Sequence, residues 1–463
     1  MIMKNKFYIS TFLISFLICM SCADEFVDTE SENNVQGVDN QIVDASTAED
    51  ALVGMYNDLQ DADLYSGTMN YYLGMWADEQ VHSGSFPAFS QIFGNDPDSE
   101  NINNNNMWDA FYNTIFAANN LIKVVNTDLQ AITEDDVARI TGQAYGIRAL
   151  MYFNLVRIYG PVPLDLEANQ ISGDLDAASS LPRFSEQDVY DQINSDLLQC
   201  ISLLDGILDR SVDRFSRDAA RTLQAQVALQ LDDLVTAQTA LESLLNAGYG
   251  LATNVSDLYG GANSGLVLSP IETIFGIPYS ATDGSTIAFF FSDQPDGGRD
   301  EVRFSGSLSA AFEPGDERAG SLVNPSSGIS RISKYTQAGT GDDDVYVFRY
   351  ADVLLMLAEV YAKQDDARAS GLINQVRDRA GLPDVLLDSG NVNTLIPRER
   401  FVEFFAESGD RYHTLKRFDL LDVVVQNKGN AVFIAERNNL FPIPQNELDN
   451  NTALSGSDQN AGY

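Results

Sequence analysis

The sequence predicts an all-α protein in which paired helices repeat and two long loop-rich tracts interrupt them. Three observations carry this. Apolar residues recur at steps of three and four in block after block, capping or breaking residues close each block, and one pair is close to the ~34 residues of a tetratricopeptide unit.

The chain opens with Lys4 and Lys6, an apolar run over residues 7–18, and Met20 and Ser21 before Cys22. This is the layout of a secretory signal that is removed rather than folded. The run is about a dozen residues, short of the ~18 to 20 that a membrane-spanning helix requires. A small residue directly before the closing cysteine is similar to the lipobox of bacterial lipoproteins. Residues 1–21 are therefore read as a lipoprotein signal, Cys22 as the lipidated anchor, residues 22–43 as a polar tether, and 44–463 as one folded domain. Of three cysteines only Cys200 belongs to that body, so no internal disulfide is available and the core must supply stability.

Helices are expected over residues 46–60 and 107–125. The next carries Ala144, Ile147, Met151, Leu155 and Ile158 on one face and stops at Gly160 and Pro161. Its partner starts at Ser185, which can cap it with Asp188 three residues on, and repeats Val189, Ile193, Leu197, Cys200 and Leu204. A second pair is striped by Ala220, Leu223, Val227 and Leu231, then by Leu234, Ala237, Leu241 and Leu244 before Gly248 and Gly250. A third has Tyr350, Leu354, Leu357 and Tyr361, then Ala369, Ile373, Val376 and Ala380, closed by Gly381 and Pro383. Residues 63–106 and 251–344 break the pattern and are expected to form irregular surface with short strands. They are rich in Gly, Ser, Asn and Asp yet hold Trp76, Phe86, Phe89, Phe93, Tyr279 and the run Phe289, Phe290, Phe291. Long loops inside a domain are usually functional, so the ligand is expected there.

The formal net charge is -39, from 67 acidic against 28 basic side chains. Such a field repels nucleic acid and makes a neutral polymer the simplest ligand.

Six segments in order resemble the SusD/RagB family of Bacteroidetes nutrient-uptake lipoproteins. They are WDAFYNTIFAANNLI from Trp108, GQAYGIRALMYFNLVRIYGPVPL (142–164), FRYADVLLMLAEVYAK (348–363), INQVRDRAGLP after it, RERFVEFFAESGDRYHTLKRFDL (398–420), and LFPIPQNEL with the terminal QNAGY. The chain departs from the family in His413 and in being short. The resemblance implies tetratricopeptide-like helix pairs opposed by a loop-rich half that binds glycan, and no catalysis. It also implies a partner, a TonB-dependent SusC-type outer-membrane transporter, and an outer-membrane address facing the exterior. Ala23, Asp24 and Glu25 after Cys22 are similar to the acidic tract that directs such lipoproteins outward.

Sugars offer C–H faces that aromatic rings cover, and hydroxyls that Asp, Asn, Gln and Arg bind. On that chemistry Trp76 is the expected principal platform, with Asp78 and Gln80 beside it, Tyr72, Tyr279 and Phe289 as further stacking rings, and Arg303 as a hydroxyl partner. Trp108, at the start of a helical block, is expected in the core. Two other readings stay open: uptake of peptides, as the RagB side of the family implies, and a lipoprotein glycosidase using two carboxylates. No Gly-x-Ser-x-Gly, His-Glu-x-x-His or phosphate-loop motif is present, and no cofactor is indicated. His82 and His413 are the only histidines, and His413 is expected to be structural. The acidic stretches at Asp96, Asp98, Glu100 and at Asp342, Asp343, Asp344 lack calcium-loop spacing and are expected to be solvated loops, so no metal site is assigned.

Overall fold

The structure, a computed structural model, describes residues 42–125, 131–167, 180–207, 211–259, 268–324, 331–332, 334–429 and 431–463. The signal, Cys22 and the tether up to residue 41 lie outside the described residues. Among the described residues no helix is long and apolar enough to cross a membrane.

Helix α1 (Ala45–Asp58) begins at a reciprocal cap: the Asp44 carboxylate accepts from the Thr47 N–H at 2.9 Å, and the Thr47 hydroxyl accepts from the Asp44 N–H at 3.0 Å. There follow α2 (Thr68–Trp76), strand β1 (Gln80–His82), α3 (Pro87–Phe93), α4 (Ile102–Val125), α5 (Glu134–Tyr159) and α6 (Glu186–Leu203). Thr133 caps α5, whose first turn carries Glu134, Asp135 and Asp136 where the helix dipole favours negative charge. Gly160 then ends it in the left-handed region at φ 74°, a conformation that glycine adopts without strain. Ser185 caps α6 by accepting from the Asp188 N–H, the residue that the spacing marks.

The chain continues through α7 (Arg217–Gln230), α8 (Leu234–Leu244), β2 (Thr273–Ile277), α9 (Ile287–Phe291), β3 (Val302–Phe304) and β4 (Val345–Arg349). Then come α10 (Tyr350–Lys363), α11 (Arg368–Arg379), α12 (Val392–Glu403), α13 (Asp410–Arg417), α14 (Leu421–Asn427) and the short α15 (Gln445–Asn450). The helices stack in series: α1 on α4, α4 on α5, α5 on α6, α6 on α7, α7 on α8, α8 on α10, and α10 on both α11 and α12. Each buries its apolar stripe against the next, so the core is continuous along the array.

Two features lock the first pairs. A Cβ on Gly146 would lie 2.3 Å from the Phe215 ring and 3.0 Å from Cys200 Sγ, so a glycine is what lets those groups close on α5. Arg148 of α5 donates to Asp196 of α6 through Nε at 2.8 Å and Nη2 at 2.7 Å, and through Nη1 to Asn119 of α4 at 2.7 Å. One buried guanidinium thus ties three helices, with its charge matched by a carboxylate.

The interrupting tracts are more ordered than expected, because α2, α3 and α9 lie within them. All nine residues of α2 are buried. A helix covered on every side needs no polar face, so it leaves no periodic stripe to read. The two tracts meet in a short antiparallel ladder in which Gln80 pairs with Phe304, Val81 with Arg303 and His82 with Val302. The ladder joins β1 and β3 and brings together segments more than two hundred residues apart in sequence.

Candidate functional site

Most residues that the sequence marks for the ligand are used inside the protein. Trp76 is only 2% exposed: its ring centroid lies 4.7 Å from that of Phe441, and Nε1 donates to Asn439 Oδ1 at 3.3 Å. Tyr72 is fully buried, donates to Asn101 Oδ1 at 2.8 Å and meets Phe89 edge-on. Tyr279 is buried and its N–H donates to Asp344 Oδ1 at 2.9 Å. None of these three rings has a face free for a sugar; the expectation for Trp76 as platform is corrected to a core role. The reason is that the C-terminal segment around residues 439–441 covers the end of α2, which local sequence cannot disclose.

The polar candidates are committed as well. Gln80 is buried, and its Nε2 donates to Asn70 Oδ1 at 2.9 Å and to Glu79 Oε1 at 3.0 Å. Asp78 accepts from Arg411 through Nε at 2.7 Å and Nη2 at 3.0 Å, which makes it half of a bidentate pair. Arg303 donates to Asp300 Oδ1 at 2.9 Å on the partly exposed outer side of the ladder. Phe289 differs from all of them, being 37% exposed.

Around Phe289 the two tracts build a surface. Its ring lies 5.3 Å from Phe290, Phe290 5.3 Å from the buried Phe89, and Phe89 5.1 Å from Phe86, so four rings form a connected patch. Phe86 and Phe290 are half-buried. The Arg299 guanidinium sits 5.4 Å from the Phe86 centroid and covers part of that ring. Beside Phe86 opens a depression of about 550 Å³ whose walls include His82, Ser85, Pro87, Ser90, Asp96 and Val432. Flat apolar faces next to an open, hydroxyl- and carboxylate-lined hollow suit a ligand with C–H faces and many hydroxyls.

The carboxylate of Glu301 organises this surface from beneath. Its side chain is 3% exposed. Oε2 pairs with His82 Nε2 at 3.0 Å and accepts the N–H groups of Ser85 at 3.0 Å and Phe86 at 3.2 Å, while Oε1 accepts from Arg299 Nε at 2.9 Å. Burial alone would raise its pKa, but the hydrogen bonds from His82, Phe86 and Arg299 outweigh it and hold the carboxyl below the usual range. Such a group is an anchor and a poor general acid at neutral pH. In the sequence Phe86 stands out only as one aromatic of its tract, and Arg299 and Glu301 follow no local pattern that would single them out.

The acidic stretches prove to be hydrogen-bond anchors. Asp343 is fully buried and accepts the N–H groups of Thr336 and Gln337, each at 2.8 Å, while buried Asp344 accepts those of Leu268 and Tyr279. Asp96 pairs with Arg437 at 2.9 Å. The expectation of a wholly solvated loop therefore fails at Asp343 and Asp344. Among the described residues no group of three or more His, Cys, Asp or Glu is placed to share a metal ion. His413 is buried, and burial together with Arg157 and Lys416 drives its pKa far below the usual value, which makes it a neutral core residue. Trp108 is also in the core, packed against Tyr159 at 4.9 Å.

Two family profiles match the chain, one described as starch-binding associating with outer membrane, over residues 25–229, and one as the SusD family, over residues 323–463. The chain belongs to the SusD/RagB-like family. SusD-like protein P38 of Formosa agariphila is 28% identical over 457 residues, which cover 85% of each chain. A SusD superfamily protein from Bacteroides vulgatus superposes with a TM-score of 0.78 at 23% identity, over 91% of this chain and 99% of that one. A laminarin-binding SusD-like protein does so with 0.76 at 24% identity, over 91% and 100%. At these identities the two structures establish the shared SusD fold. Membership establishes the coarser function, that of a glycan-binding family associated with the outer membrane.

Proposed function

We propose that this SusD-like protein captures a neutral glycan at the cell surface on the Phe86 and Phe289 face and hands it, uncut, to a TonB-dependent SusC-type transporter. Cys22 would carry the lipid that holds it to the outer face of the membrane. One observation carries the binding reading: two partly exposed rings, supplied by different tracts, belong to one connected aromatic patch, and the chain neighbours of Phe86, Ser85 and Pro87, line an open hollow in a protein of a starch-binding family. The negative field of a chain with net charge -39 favours an uncharged polymer over an acidic one. Among neutral glycans laminarin, a β-linked glucan, comes first because a solved relative of the same fold binds it.

Isothermal titration of the protein lacking its signal tests this with laminarin, starch, a fructan, alginate and a peptide mixture. Binding to a neutral glycan that weakens in Phe289→Ala and in Phe86→Ala supports the reading. Binding of peptides alone would move the ligand to that class, and reducing sugar released from any glycan would make the protein an enzyme. Recovery of a β-barrel transporter with the tagged protein from native membranes tests the partner, and its absence under conditions that preserve such complexes would remove that part.

A further inference from the structure

Glu301 touches both segments that carry the exposed rings. Its own N–H donates to the Phe290 carbonyl at 3.0 Å, and its carbonyl accepts from the Ser83 N–H at 2.8 Å. Its carboxylate accepts the Ser85 and Phe86 amides, as described above. The residues before it repeat the bridge: the Arg299 N–H donates to the Phe289 carbonyl at 2.7 Å, the Asp300 N–H to the Ser292 carbonyl at 2.7 Å, and the Ser83 hydroxyl to the Asp300 carbonyl at 2.7 Å. Gly84 is part of the same device. A Cβ there would stand 2.0 Å from Glu301 Oε2, so only glycine lets the loop fold over the carboxylate.

We propose that Glu301 is the positioning residue of the ligand surface, clamping the loop of Phe86 to the segment of Phe289 and so setting the distance and tilt between the two rings. Ring spacing decides which curvature of sugar chain can lie across both faces, so Glu301 contributes to the choice among glycans without touching them. A buried carboxylate with four donors is well suited to this, because each bond is charge-assisted and none is free to turn toward solvent. This inference rests on the reading that the two rings meet the glycan.

The test compares wild type with Glu301→Ala, Glu301→Gln and Gly84→Ala, using laminarihexaose, cellohexaose and maltohexaose as probes and amide hydrogen exchange without ligand. In Glu301→Ala the Ser85 and Phe86 amides should exchange faster, affinity for the preferred hexasaccharide should fall about tenfold, and preference among the three should shrink. Glu301→Gln keeps an oxygen for the loop amides and should recover most of that affinity, which a loss of general stability would not do. Gly84→Ala displaces the carboxylate by another route and should reproduce the alanine effect, so the test survives if Glu301→Ala does not fold. A wild type that prefers one sugar, with Glu301→Ala unchanged in exchange and in selectivity, overturns the clamp alone. A glutamine variant as weak as the alanine one also overturns it. A wild type that binds none of the three, nor any glycan of the titration panel above, overturns both the glycan reading and this inference; one that binds only another glycan of that panel moves the selectivity arm to that glycan, with the same outcomes deciding.

Discussion

Two regions of the molecule are built from glutamate and arginine, yet they do opposite things with them. Under the C-terminal helices a sealed network joins Arg349 to Glu272 at 2.9 Å, to Glu403 at 2.5 Å and to Glu407 at 2.8 Å. Arg318 adds Asp316 at 2.9 Å, Glu399 at 2.7 Å and Glu403 at 3.1 Å, Arg379 joins Glu272 and Glu403, and Lys334 reaches Glu407 at 2.6 Å. At the proposed ligand face Glu301 holds Arg299 and His82 at a surface where rings stay partly bare. The first region uses charge to lock elements together out of water, and the second uses it to hold a shape toward water. Several of the sealed charges, including Arg349, Glu399, Glu403 and Glu407, lie in the segments that carry the family resemblance, as does the buried pair of Arg400 with Asp352 at 2.6 Å. In the six segments these charges are scaffold; Phe86 and Phe289, the proposed ligand face, lie outside those six segments.

The sharpest way to break this contrast is to empty one charge in each region. Glu403→Ala leaves Arg349, Arg379 and Arg318 short of a partner in a buried site and should cost roughly 3–5 kcal/mol of stability, seen as a lower midpoint in urea. Glycan affinity of the protein that remains folded should not change. Acid should act on the same network. Burial alone would raise the Glu403 pKa, but Arg379, Arg349 and Arg318 overcome it and hold the carboxyl well below its ordinary value, and Glu407 is lowered likewise by Arg349 and Lys334. A carboxyl with a lower pKa folded than unfolded contributes stability above the unfolded value and loses it as pH falls through the folded one. Melting temperature should therefore hold at neutral pH and fall below about pH 4.5; a Glu403→Gln variant should lose part of that slope.

Trp76→Ala tests which region that ring belongs to. Truncating a large buried ring should cost about 3 kcal/mol or more by calorimetric or chemical unfolding, with affinity preserved in what stays folded. Loss of glycan binding at unchanged stability would return Trp76 to the ligand face. Phe289→Ala should do the reverse and give the smaller effect, about tenfold in Kd, or roughly 1.4 kcal/mol, with unfolding within about 0.5 kcal/mol of wild type. Equal losses of stability from both substitutions would dissolve the distinction between core and face.

Helices α6, α8 and α11 were legible because each is buried on one side, and one-sided burial writes a stripe of period 3.6 that a cap such as Ser185 then punctuates; α5 and α10 are far more deeply buried and were legible from their length and their breaking residues. Helix α2 escaped because it is only nine residues long, buried throughout, and opens at Gly67 with no side-chain cap. Phe289 was legible as a ring in a loop-rich tract, whereas Trp76, with the same credentials, was not distinguishable from it by any local feature.

By itself, then, the sequence determined the paired helices, their caps and the SusD-like segments, because these depend on residues within one or two turns of each other. Tertiary structure alone decided which rings are bare and which carboxylate holds them. That choice depends on Asn439 and Phe441 closing over Trp76, and on the pairing of residues 80–82 with 302–304 that carries Glu301 under Phe86. Contacts between such distant segments depend on how the whole chain packs, and no short window of residues records them.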